Sequence, residues 1–221
     1  QKSTKDYYEL VKLDPGFQII FEDQKKLVIP AEYDELESLF NNIELGSSKK
    51  LKKFMKEAEF KYGFGMNSVV FQPGVSWMEF CKLDLFKNVF KLQIFSSYKS
   101  HVAKYFKHPK LRALLEFPVL FLGTAPKETP ALYSLMAYSG LMQGTYYPMG
   151  GFHQVIKGMG KLCKDLGVTF HLGESVEKIE IENSKVKEVK TKNNSFLTDL
   201  LIGSADYHHI ENKLLPKKYR N

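Results

Sequence analysis

A chain of 221 residues with 43% apolar side chains can bury a sizeable core, which excludes intrinsic disorder and leaves room for one large domain or two small ones. Its two cysteines, Cys81 and Cys163, exclude a disulfide framework and fit a reducing compartment, while the longest apolar run, Phe117 to Leu122, is far short of the roughly 20 residues a spanning helix needs. The net charge of +7 lies in one window, Leu85 to Leu115, which holds Lys87, Lys91, Lys99, Lys104, Lys107, Lys110 and Arg112 and no acid.

In chain order, Tyr8–Leu13, Phe17–Phe21 and Leu27–Ile29 read as short strands separated by Asp14-Pro15-Gly16 and the polar turn Glu22–Lys26, giving an antiparallel meander. Tyr33, Leu36, Leu39, Phe40 and Ile43 then step as one helix ending near Gly46. Ser47 or Ser48 caps the next, through Leu51, Phe54, Met55, Ala58 and Tyr62, with lysines 49, 50, 52, 53 and 56 on its outer face. Residues 77–122 form a basic helical region of short pieces, one opened at His108-Pro109 and another limited by Pro118.

Aromatic residues are interleaved with that region's charge. Leu85, Phe86, Val89 and Phe90 have helical spacing, as do Tyr98, Val102, Tyr105 and Phe106. A cationic surface with aromatic edges suits anionic lipid, and Lys87, Phe90, Lys91, Lys104 and Phe106 are the expected contacts. A solvated polar face over a buried apolar one gives the same pattern. Nucleic acid is not an expected partner, because no RNP, zinc-finger or helix-turn-helix signature accompanies the charge.

Pro130 to Met142 is a helix apolar almost all the way round, as buried helices are. The compositional boundary follows at Gly144–Gly151. Beyond Pro148-Met149-Gly150-Gly151, the residues Phe152, Val155, Ile156, Met159, Leu162, Cys163 and Leu166 mark one helix face, and Gly167 supplies a left-handed stop. Val168–Leu172 reads as a strand. Val176–Glu182 and Lys185–Thr191 flank Asn183-Ser184 as a hairpin, and Asp206, after the apolar run Leu200–Gly203, caps a helix from Tyr207 to Leu215 limited by Pro216. The fold class is therefore α+β: mostly antiparallel sheet with a helical cover, followed by a helix-strand-hairpin piece.

Tyr147-Pro148-Met149-Gly150-Gly151, the helix after it and the segment Glu174-Ser175-Val176-Glu177-Lys178-Ile179 resemble the phytoene desaturase family, flavin-dependent carotenoid desaturases and isomerases of the amine-oxidase-like group. Asp6 to Pro15 and Ser204 to Pro216 extend the resemblance over almost the whole chain. It implies a substrate-binding domain at residues 1–145 and a partial FAD-binding domain at 146–221, in a peripheral membrane protein of the cytoplasm. Tyr147, Gly150, Gly151, Val176 and Ala205 would lie near FAD, with Ser204 beside them. Met136, Tyr138, Leu141, Met142 and Tyr146 would line a tunnel for an apolar polyene, although Met and aromatic clusters are also ordinary core. The resemblance further implies an internal fragment, inactive alone, because the family's strand-GxGxxG-helix unit is missing: Gly63-Phe64-Gly65 and Gly158-Met159-Gly160 both fall in helical patterns.

No catalytic acid or base is identified; Glu128 and His153 are the nearest polar candidates, and each is as readily a cap or surface group. Gly158 and Gly160 each weaken their helix by about 1 kcal/mol, which suggests close packing against another backbone, such as a missing dinucleotide domain. Adjacent His208 and His209 point about 100° apart on a helix, so no metal site is expected. A noncatalytic basic membrane or lipid-binding module is the alternative to the enzyme.

Overall fold

The computed structural model describes residues 3–68, 70–71, 88 and 90–220. The chain forms two compact units, Gln1–Met159 and Gly160–Asn221, so the division falls inside a helix and not in the turn ahead of it. The architecture is mixed α+β with small antiparallel sheets.

In the first unit, β2 (Phe17–Ile20) and β3 (Lys26–Ile29) form a hairpin in the register Phe17↔Ile29 and Ile19↔Leu27. Alternation puts Leu27 and Ile29 in the core and leaves Val28 outside. The expected meander is corrected at its first strand. β1 (Leu10–Lys12) pairs with β4 (Tyr146–Pro148), Val11 opposite Tyr147. Bonds from Leu13 N to the Thr145 carbonyl and from Met149 N to the Glu9 carbonyl extend that ladder. Between β1 and β2, Pro15 has no N–H to give a ladder, Asp14 Oδ1 accepts from Ala31 N, and Gly16 N donates to the Ile29 carbonyl. The chain turns there to a new partner.

Helix α1 (Tyr33–Ile43) buries Leu36 and Phe40. Helix α2 (Ser47–Ser68) starts at Ser47 itself, whose buried Oγ makes no hydrogen bond, so the expected serine cap is absent at that residue. Leu51, Phe54, Met55, Ala58 and Lys61 form its buried stripe, with Lys52, Lys53 and Lys56 outside. Against it pack α3 (Tyr98–Tyr105) and the stretch made by the 3₁₀ turn Ala131–Ser134 and α5 (Leu135–Met142). Helix α4 (Pro109–Glu116) opens as expected: Pro109 occupies the first turn and His108 Nδ1 accepts from Lys110 N. Pro118 stands in the first turn of the 3₁₀ segment Phe117–Leu122 that follows.

Phe40, Phe54 and Phe106 form the aromatic centre, with ring centroids 5.4 Å apart for Phe40–Phe106 and 6.0 Å for Phe54–Phe106. Glu44 clamps the α1–α2 corner to α4 by accepting from Lys107 N, His108 N and Lys50 Nζ. Burial pushes its carboxyl up, but these partners outweigh burial and hold it at about 2.

Helix α6 (His153–Asp165) ends as the sequence indicates. Gly167 has φ +87°, Val168 N reaches the Cys163 carbonyl and Gly167 N the Lys164 carbonyl, which is a Schellman stop. In the second unit, β5 (Val176–Glu182) and β6 (Lys185–Thr191) make the expected hairpin, with Asn183 and Ser184 both left-handed as a two-residue turn requires. A third strand, β7 (Ser195–Leu197), pairs with β6. The sheet packs on the turn Ile210–Leu214, burying Ile179 and Leu214. Asp206 Oδ1 accepts from His209 N and caps the short helix α7 (Tyr207–His209), which continues as that turn. Val168–Leu172 is not a strand: it has no partner strand among the described residues, and Val168, Phe170 and Leu172 are exposed.

Candidate functional site

The site grows from the β4–α6 connection. β4 ends at buried Pro148, and Gly151 N donates back to the Pro148 carbonyl, closing a tight turn. Gly150 at φ +84° and Gly151 at φ +94° both sit where a Cβ is penalised. A Cβ on Gly150 would meet Gln154 Nε2 at 2.9 Å, and one on Gly151 would lie 3.7 Å from the Tyr147 hydroxyl. Tyr147 is 39% exposed and packs edge-on against Phe152, centroids 6.2 Å apart. Met149 and Phe152 are also open to solvent. The turn thus presents a phenol, two residues without side chains and an apolar rim. His153, the first residue of α6, is exposed, as is Glu128, whose carboxylate lies 3.7 Å from Lys127 Nζ.

The apolar face of α6 continues outward from the turn. Ile156, Met159, Leu162 and Leu166 are all exposed, so the helix has amphipathic spacing without cover among the described residues. Gly158 is the buried exception: a Cβ there would come within 2.9 Å of Tyr8 Cδ1 and 3.1 Å of Tyr7 Cβ. Its close neighbour is therefore the N-terminal segment of this chain, which corrects the expectation of a different domain at that position. Gly160 has open space around it.

Val176 and Ala205 belong to the second unit, where Val176 is half-buried at the start of β5 and Ala205 is exposed just ahead of the Asp206 cap. Ser204 is exposed beside it, and Leu200 and Ile202 just before are 76% and 82% exposed. Of the tunnel candidates, Leu141 is buried in the core, Met136 and Tyr138 are half-buried, and Met142 and Tyr146 are exposed. Tyr138 stacks on Tyr62 at 5.4 Å and donates to Glu59.

Of the lipid-facing candidates, Phe90, Lys91 and Lys104 are exposed, Phe90 at 85%. Phe106 is fully buried, which corrects its assignment to the surface: it follows the last turn of α3 and its ring fills the space between Phe40 and Phe54. Lys87 lies outside the described residues, as do Cys81, Leu85, Phe86 and Val89. No helix of the described residues is long and apolar enough to cross a membrane.

A polar cluster inside the first unit carries no sequence signal, because Lys61 continues the apolar stripe of α2. Its Nζ donates to the Ala131 carbonyl at 2.9 Å, Ser134 Oγ at 3.0 Å and Gln93 Oε1 at 3.0 Å. Burial pulls its pKa down to about 8, against the opposing pull of Glu57. His101, also buried, stacks near Phe54 and Tyr105; its Nε2 makes no hydrogen bond and lies 3.9 Å from Glu57 Oε2. Burial first, then the charges of Lys61 and Lys104, pull the imidazole down to about 3. Glu57 Oε1 accepts from the Tyr105 hydroxyl at 2.6 Å. The cluster ties α2 to α3 and the Ala131–Ser134 turn. His208 faces Asn212, and among the described residues no group of three or more His, Cys, Asp or Glu gathers as metal ligands would.

Residues 16–220 match the family model described as flavin containing amine oxidoreductase. A carotenoid 3,4-desaturase of Haloarcula japonica is 32% identical over 99% of this chain and 44% of its own length. A zeta-carotene-forming phytoene desaturase of Myxococcus xanthus is 23% identical over 98% of the chain and 42% of its own length. A phytoene desaturase of Fusarium fujikuroi is 27% identical over 97% and 38%. The chain spans less than half the length of these relatives, and the comparisons give no support to a noncatalytic lipid-binding module.

Proposed function

Since the chain belongs to the flavin-containing amine oxidoreductase family, on its phytoene desaturase side, we propose that it is the substrate-binding part and flavin-facing edge of an FAD-dependent enzyme that desaturates, or isomerises, a carotenoid precursor such as phytoene. What carries this reading is the left-handed Gly150-Gly151 pair beside exposed Tyr147, in a chain that aligns over nearly its full length with carotenoid desaturases.

That turn fits a flat ring system. Two adjacent residues without Cβ let a planar group approach the backbone, and the phenol and Phe152 supply an apolar edge. Gly150, Gly151 and Tyr147 would hold the ring side of FAD. In the second unit, Val176 and Ala205 would offer the cofactor small or apolar surfaces, and their task is positional. Exposed apolar residues in each unit, Ile156 and Met159 of α6 in the first and Val168, Phe170, Leu200 and Ile202 in the second, would be covered by a dinucleotide-binding segment. We assign residues 1–145 to the substrate side and 146–221 to the cofactor side.

Desaturation removes one hydrogen from each of two adjacent carbons and leaves a double bond, and a bound flavin supplies the acceptor for both hydrogens. The chain's own residues hold the polyene and exclude water. Met136, Tyr138, Leu141, Met142 and Tyr146 are the proposed lining, because an apolar chain without polar handles is positioned by shape and burial. A substrate of this kind resides in lipid, so the exposed Phe90, Lys91 and Lys104 are proposed to meet a membrane surface, making the protein peripheral.

The test joins the chain to the dinucleotide-binding segment of a relative and supplies phytoene in vesicles. Appearance of a longer-conjugated product with a red-shifted absorbance supports the reading. An FAD-loaded protein that leaves phytoene and every longer carotenoid offered unchanged contradicts it.

A further inference from the structure

Lys91 of the basic window shares a pocket with two lysines of α2, formed entirely within the first unit. A cavity of about 410 Å³ is lined by Lys53, Lys56, Glu57, Phe60, Lys91 and Gln93. Positions 53, 56, 57 and 60 share one face of α2 by their 3- and 4-residue spacing, and Lys91 closes the opposite side with its Nζ 5.8 Å from the Phe60 centroid. Three lysines and one glutamate are thus among the lining residues. That carboxylate is engaged, since Glu57 Oε1 accepts from Tyr105, and among the described residues none of the three lysines is in an ion pair. Gln93 gives its Oε1 to buried Lys61, which fixes the base of the pocket and leaves the amide N–H₂ as the end Gln93 can offer a ligand.

Like charges gathered around a concave site repel one another, and an anion relieves that repulsion. The shape narrows the choice of anion. Phe60, itself 40% exposed, gives the pocket an apolar wall, and Phe90, next to Lys91 in the chain, stands 85% exposed where it can enter hydrocarbon. We infer that this pocket binds the phosphate of an anionic lipid headgroup, Lys53, Lys56 and Lys91 contacting the phosphate oxygens while Phe60 and Phe90 meet the glycerol and acyl portion. The inference rests on the peripheral-membrane reading above and deepens it, replacing a diffuse basic surface by one headgroup site.

Vesicle flotation tests it, because bound protein rises with lipid whereas self-associated protein sinks. The chain is mixed with phosphatidylglycerol vesicles or phosphatidylcholine vesicles, and Lys53→Gln/Lys56→Gln is compared with Lys49→Gln/Lys52→Gln, an equal charge loss from exposed positions on the same helix outside the pocket. Thermal melting verifies that both variants fold. The expected result is flotation with phosphatidylglycerol only, weakened roughly 30-fold by the pocket pair and less than about threefold by the control pair. Equal losses in the two pairs overturn the pocket while leaving a diffuse membrane attraction standing. Absence of flotation by the unmodified chain removes the membrane reading together with the pocket. Displacement from vesicles by micromolar glycerol phosphate also overturns the lipid assignment, because it gives the pocket to a soluble phosphate.

Discussion

At the scale of single residues, the most consequential groups are those the sequence disguises. Lys61 and His101 occupy positions where helical spacing calls for apolar side chains, and both are buried. The imidazole is pulled from 6.5 to about 3 by burial and by neighbouring lysines. Between those values the folded chain keeps His101 neutral whereas the unfolded chain takes up a proton, so stability falls as pH drops below 6.5. The contribution lost between pH 6.5 and pH 5 is about 2 kcal/mol. His101→Phe keeps a ring beside Phe54 and Tyr105 without the titration. Urea unfolding at pH 7 and pH 5 should show the unmodified chain losing about 2 kcal/mol relative to that variant; parallel losses would rule out the imidazole as the cause. Phe106 shows the same ambiguity from the other side. Interleaved with lysines it reads as surface, and only the packing of Phe40 and Phe54 around it reveals a core residue.

At the scale of elements, legibility follows how local the determining interactions are. The hairpin Val176–Thr191, the Gly167 stop and the Asp206 cap depend on neighbours a few residues away, and the sequence alone places them. The β1–β4 pairing joins residues far apart in the chain, and a meander is what local pattern offers in its place. Val168–Leu172 has the composition of a strand, but strand structure needs a partner, and none stands beside it among the described residues. The hairpin turn also gives a direct stability prediction. Ser184 pays for a φ of +60° that glycine adopts without strain, so Ser184→Gly should stabilise the second unit by about 0.5–1 kcal/mol, read as a higher melting temperature. A lower melting temperature would contradict the turn assignment.

At the scale of the molecule, the candidate site was legible as a local turn and illegible as an assembly. Gly150 and Gly151 are marked by sequence and found left-handed, while Tyr147, Val176 and Ala205 are marked only by the family resemblance and have no local pattern of their own. Ile156, Met159, Leu162 and Leu166 form an apolar surface that water meets at a cost of about 25 cal/mol per Å². The 221-residue chain should therefore self-associate at micromolar concentration, and Ile156→Glu with Leu162→Glu should shift it toward monomer in sedimentation velocity. Unchanged association in that double variant would place the sticky surface elsewhere.

The central claim is that the double-glycine turn faces FAD. It is tested most directly by the flavin absorbance of the chain co-purified with a relative's dinucleotide-binding segment, compared with the chain alone and with Gly151→Val. The account predicts about one FAD per joined complex, little or none in the chain alone, and a loss of at least tenfold in affinity in the variant, whose Cβ branches would fill the space beside the Tyr147 hydroxyl. Tight FAD in the chain alone, or full FAD in the folded Gly151→Val complex, would contradict it.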